Sequence, residues 1–178
     1  MTKIGHNSVA LAGEFAVLSQ LALRGFDANM TLGNTKSVDI LVADPLTENM
    51  FKLEVKTHAN HRPSLSTLFG HTLDWILSEK HESIIASNLF YVFVSIAKEA
   101  QFFRFFIVPS DVVAKYVQEQ TKYWLATRIK EVRGDNKIRM FRIGIDDVQQ
   151  NYPIYTPLAK DYENRWDFQR IESRDFVN

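Results

Sequence analysis

The segment Leu89-Phe90-Tyr91-Val92-Phe93-Val94-Ser95-Ile96 is apolar on both faces of any strand it forms. Such a strand is stable only when both of its sides are covered, so it belongs in the middle of a sheet with layers above and below. Phe102 to Val108 reads as its neighbour. Three shorter strand candidates stand upstream, Phe26 to Leu32, Ser37 to Ala43 and Met50 to Thr57. The turn formers Gly33-Asn34 and Asp44-Pro45 separate them. Helical spacing places a first helix from about Ser8 to Arg24, with Asn7 or Ser8 as cap and Gly25 as stop signal. His58 to His71 reads as a loop, and Thr72 to Ile84 as a helix. Pro109-Ser110-Asp111 opens a further helix to about Gln120, resuming to Val132, and Lys137 to Ile145 is a last strand candidate. This order predicts an α/β fold, a mixed central sheet flanked by helices. No linker interrupts it, so a single domain over 1–178 is expected, with a loop-rich C-terminal tail from about 150 packed across its surface.

The chain has no cysteine, which removes disulfides and thiolate metal sites and fits a reducing, cytoplasmic setting. No segment approaches the ~18 apolar residues of a membrane helix, and Met1 to Asn7 does not read as a signal peptide. Lys plus Arg equals Asp plus Glu at 21 each, so any attraction for nucleic acid must come from a local patch and not from net charge.

Three acidic residues break otherwise apolar patterns. Stepping about 100° per residue along the first helix puts Glu14 among Leu11, Leu18 and Leu21. Asp39 is the one charge inside Ser37-Val38-Asp39-Ile40-Leu41-Val42-Ala43, and aspartate is depleted in strands. In Phe51-Lys52-Leu53-Glu54-Val55-Lys56-Thr57, charged and apolar residues alternate as in an ordinary half-exposed strand. Pairing the second and third strands across the Asp44-Pro45 turn changes that reading. Asp39 then lies beside Glu54 on one face, with Lys56 two residues on, and the first helix can bring Glu14 to the same place. Like charges gathered so closely call for a cation, and oxygen donors suit a hard one such as Mg²⁺ or Mn²⁺.

These residues resemble the PD-(D/E)XK nuclease superfamily, which includes restriction endonucleases and Holliday-junction resolvases. The match comprises Glu14 on the first helix, Val38-Asp39 on the second strand and Glu54-Val55-Lys56 on the third, over roughly residues 8 to 96. Val38 stands where the motif's name has proline. The resemblance implies a restriction-endonuclease-like α-β-β-β-α-β core and metal-dependent endonuclease cleavage of DNA. It implies Asp39, Glu54 and the Val55 backbone carbonyl as metal ligands and Lys56 beside the attacking water. Glu14 would complete a second metal position, and a homodimer would be a natural arrangement for cutting two strands. His58, His61, Arg62, Lys36 and Lys52 are further candidates for phosphate contact, as are Tyr162, Arg165, Trp166 and Arg170 in the tail. His71 and His81 read as ordinary helix-edge residues. The rival readings are a non-catalytic nucleic-acid-binding or assembly module on the same fold, and a structural domain whose polar strand faces water.

Overall fold

Helix α1 (His6–Ala22) begins two residues ahead of the expected start, at Gly5, with no side-chain cap. Its end is set by Gly25, whose φ of 80° is the left-handed conformation that glycine adopts without strain. There the Phe26 N–H reaches the Leu21 carbonyl at 3.2 Å and the Gly25 N–H the Ala22 carbonyl at 3.1 Å, the bond pair of a Schellman stop. The computed structural model describes residues 4–31, 38–59, 62–97, 102–127, 137–146 and 151–169.

Strands β1 (Asp27–Met30), β2 (Ile40–Ala43) and β3 (Met50–Ala59) form the expected antiparallel meander. The central sheet continues through β6 (Leu89–Ile96) and β7 (Phe103–Pro109), in the order β1-β2-β3-β6-β7. β3 and β6 run parallel, and every other neighbouring pair is antiparallel. The sheet is therefore mixed, as the pattern predicts.

Between β3 and β6 the structure departs from the expected loop and helix. β3 runs on to Ala59, β4 (Ser64–Ser66) and β5 (Gly70–Ser78) follow, and a 3-10 turn spans Glu79–Glu82. The expected helix at 72–84 is thus a strand ending in a tight turn. Leu73, Trp75 and Leu77 alternate inward from β5, while Ile76 is 69% exposed. That outward isoleucine hides the two-residue period of a strand. The partner of β5 is β8 (Ile138–Gly144), and β4, β5 and β8 make a second sheet. This arm supplies the crossover that joins two parallel strands, in place of a helix.

Helix α2 (Ser110–Thr127) starts at the expected Ser110. It packs with β5 and β8 over Tyr91, Phe93, Phe106 and Val108, on one face of the central sheet. The opposite face carries Ile40, Val42, Leu53, Val55, Val92 and Ile107, covered by Val17 and Leu21 of α1 and by Trp166 and Phe168. The described part of the tail, 151–169 with the short helix α3 (Ala159–Tyr162), thus closes over this core, and Arg24 stacks on the Trp166 ring at 5.0 Å. Arg104 of β7 binds both oxygens of Glu163, at 2.7 and 2.8 Å, and fastens the segment.

The buried stripe of α1 is Gly13, Val17 and Leu21, not the one centred on Glu14. Leu11 and Phe15 are 44% and 56% exposed, and Glu14 lies at the flank, half-buried. Gly13 sets this orientation: a Cβ there would overlap the Thr57 hydroxyl, so only glycine lets α1 approach β3 this closely. Among the described residues no helix is long and apolar enough to cross a membrane.

Candidate active site

The β2–β3 register pairs Ile40 with Leu53. One step further puts Asp39 opposite Glu54, and the Asp39 N–H bonds the Leu53 carbonyl at 2.8 Å. Because Ile40, Leu53 and Val55 face α1, alternation turns Asp39, Glu54 and Lys56 to the opposite side. On that side β6 and β7 are covered by the second sheet and α2, while Leu41 and Lys52 on the meander remain exposed. The candidate residues therefore stand at the border between a buried and an open half of one sheet face.

Asp39 Oδ2 accepts the Val55 N–H at 2.7 Å, so the side chain continues the strand pairing just ahead of the first residue of β2. Burial raises the Asp39 carboxyl above its usual range. The Val55 N–H and the nearby Lys56 and Lys80 ammoniums pull against that rise, and Glu54 adds to it. Val55 thus touches Asp39 through its N–H.

Glu54 is 2% exposed and held through one oxygen. Oε1 receives Lys56 Nζ at 2.8 Å and His81 Nε2 at 3.1 Å. Oε2 is buried and, among the described residues, receives no well-aligned hydrogen bond. Burial alone would raise this carboxyl, but His81 and Lys56 outweigh it and lower it to about 2. Tyr91 is beside Glu54 in the β3–β6 register. Its hydroxyl is buried without a well-aligned bond among the described residues, and burial, the Glu54 charge and the interaction of the hydroxyl with the Glu54 side chain keep it protonated far above the usual tyrosine range.

Glu14 comes from the other side of the sheet, past the start of β2. Burial raises its carboxyl, the Asp39 charge adds to the rise, and Lys56 opposes it. Glu14 is thus coupled to Asp39 and Lys56 and not to Glu54. Among the described residues no three acidic or histidine side chains are spaced to grip an ion ready-made. The site is a close Asp39–Glu54–Lys56 core with Glu14 at its margin.

Two groups that sequence reasoning missed complete it. His81 is buried against Glu54, not at a helix edge, and the exposed Lys80 is near enough for its charge to act on Asp39. The acids therefore have more compensation than one lysine. Neither residue stands out in Ser78-Glu79-Lys80-His81, because their placement depends on where β5 ends. His71 lies on β5, 3.2 Å from Asp146. Lys52, His58 and Arg62 are exposed, with His58 Nδ1 3.3 Å from the Asp74 carbonyl of β5, and Lys36, His61 and Arg170 lie outside the described residues. Trp166 is a core residue.

Opposite shifts give a pH signature. Glu54, lowered to about 2, adds stability that is full above about pH 4.5 and is lost as pH falls toward 2. The amount is on the order of 3 kcal/mol. Asp39 and Glu14, both raised, work in the opposite sense, with their stability lost as pH climbs through their folded values. Urea denaturation between pH 5 and pH 2.5 is expected to show a steeper acid loss for the wild type than for Glu54→Gln. Parallel curves would mean that Glu54 is not held as a carboxylate.

No family model and no curated protein matches this chain. Among solved structures, the chain is similar to a bacterial homing endonuclease, I-Ssp6803I, with a TM-score of 0.52 at 14% identity. The likeness covers 93% of this chain and 91% of that one. At that identity the two share a fold, a mixed α/β architecture that a nuclease also uses.

Proposed function

We propose that the chain is a metal-dependent DNA endonuclease of the PD-(D/E)XK kind. The observation that carries the reading is the Glu54 carboxylate, buried opposite Asp39, clamped through Oε1 and, among the described residues, without a well-aligned hydrogen bond at Oε2. A buried acceptor without a donor is costly in a purely structural setting, and a cation would satisfy it. The oxygen donors suit Mg²⁺ or Mn²⁺, held by Asp39 and Glu54, with the Val55 carbonyl as a further ligand and Glu14 in reach of a second position. A cation bound there neutralises charge on the phosphate and lowers the pKa of water.

The remaining chemistry falls to the chain. Lys56 stands next to Glu54 and is 29% exposed, so its ammonium can orient the attacking water or meet charge growing on the phosphate. A duplex backbone would lie on the meander face beside it, where Leu41 and Lys52 are exposed. The likeness to I-Ssp6803I, itself a homing endonuclease, supports DNA as the substrate. The equal count of 21 basic and 21 acidic residues favours a second reading, a binding or assembly module that keeps the fold without cutting.

One experiment separates them. Mg²⁺ or Mn²⁺ is expected to raise the melting temperature, because a ligand of the native state stabilises it, and Mn²⁺ to support plasmid nicking. Absence of both effects with wild-type protein would discard the nuclease reading.

A further inference from the structure

His81 lies outside the acid-acid-lysine set, yet it is 3% exposed and bonded straight to Glu54. We propose that His81 is a positioning residue: its Nε2–H fixes Glu54 Oε1, so that Oε2 is presented in one orientation to a divalent cation. This rests on the metal-dependent reading above and adds a residue and a role to it.

Three observations carry it. The first is how the imidazole is oriented. The Ser78 N–H donates to Nδ1 at 3.1 Å, and the Ser78 hydroxyl is also 3.1 Å away. With Nδ1 accepting, the neutral ring carries its proton on Nε2, toward Glu54. The Ser78 carbonyl is 2.9 Å from Nδ1 and would accept from a doubly protonated ring. In either state Nε2 donates to Glu54, so the clamp does not depend on the charge of the histidine.

The second is how the turn is anchored. Glu82, the next residue, pairs with the buried Arg139 of β8, and His81 packs edge-on against Tyr91 at 5.8 Å. The ring is therefore held from both sides of its own turn and from β6. A residue with that much support can hold another in place.

The third is what the clamp leaves over. Lys56 and His81 both bind Oε1, whereas among the described residues no well-aligned hydrogen bond reaches the buried Oε2, and the Tyr91 hydroxyl is a further polar group that acts on this carboxylate. A histidine present only to neutralise an acid would serve equally well between the two oxygens. Loading both donors on one oxygen keeps the other for a ligand. Groups that orient metal ligands in this way typically change metal affinity by about 10–100-fold when lost.

The test uses variants of the full chain, read first by Ca²⁺ and Mn²⁺ affinity from calorimetry and then by single-turnover cleavage. His81→Gln can keep a donor near the Nε2 position. His81→Asn keeps a group near Nδ1 and loses the bond to Glu54. His81→Asn is expected to bind Mn²⁺ about tenfold or more weakly, while His81→Gln stays within about threefold of wild type and the two melt alike in EDTA. In a Glu54→Gln background, His81→Asn should have no further effect on affinity, because the histidine acts through that carboxylate. The proposal is overturned if His81→Asn loses stability but binds Mn²⁺ as wild type does, or if its effect persists undiminished beside Glu54→Gln. Should His81→Asn fail to fold, the comparison of His81→Gln with His81→Leu decides in its place: equal metal affinity overturns the proposal. A wild-type protein that binds neither cation is a different failure and removes the metal-dependent function itself.

Discussion

Lys56→Ala is expected to bind DNA in Ca²⁺ within about threefold of wild type while its single-turnover cleavage slows by on the order of a hundredfold or more. A group that acts mainly in the transition state lowers turnover without lowering ground-state affinity. The ammonium is 2.8 Å from Glu54 Oε1, so its loss also leaves His81 as the one donor to that buried oxygen. A stability loss of about 1–3 kcal/mol should accompany the substitution, and cleavage must be compared well below the lower melting temperature. Lys52→Ala is the control, since Lys52 is exposed on the same strand face. A lysine that only touches a phosphate weakens binding and reduces the salt slope by about one. Wild-type cleavage by Lys56→Ala would leave the binding-module reading as the better one.

Asp39→Asn separates activity from stability more sharply. The amide can still accept the Val55 N–H that Oδ2 accepts at 2.7 Å, so the start of β2 should hold. Cleavage is expected to drop by on the order of a thousandfold, as several kcal/mol of charge stabilisation are lost. Stability in EDTA should be unchanged or higher. The Asp39 carboxyl is raised, mainly by burial, so its ionised form costs stability. That cost is absent below the unfolded value and complete above the folded one, so the advantage of the variant grows as pH rises through that window. Denaturation in EDTA at pH 4 and pH 7 is the measurement. Marked destabilisation at pH 7 would make Asp39 a structural acceptor.

Much of the architecture could be read from local patterns. Leu89 to Ile96 does sit centrally and buried, and the meander, α1, α2 and β8 fall close to their expected places, because each carries its own period. The arm between β3 and β6 could not be read this way. Its strand β5 is satisfied by β8, and its outward Ile76 imitates a helical apolar face. The Asp39–Glu54 alignment was legible because a short hairpin fixes its own register, with residues 40–53 between the two acids. The setting of Glu14 was not, because α1 is apolar nearly all round and the choice of face falls to Gly13 and Thr57. His81 and Lys80 reach the site only through the turn that ends β5.

The pairing of β5 with β8 has a consequence for the order in which the chain is made. Ser78 meets Ile138 and Thr72 meets Gly144, so this ladder joins residues 60 to 72 positions apart, with α2 lying between. Asp39 and Glu54 can meet as soon as their hairpin closes, whereas the turn carrying His81 is secured to Arg139, far downstream. Closing long loops is slow compared with local pairing. A nascent chain therefore holds its two acids together before their histidine is locked in place. Ribosome-bound lengths ending between Glu54 and Arg139 should carry the meander with its two acids but without the His81 clamp, which should form only once β8 has emerged.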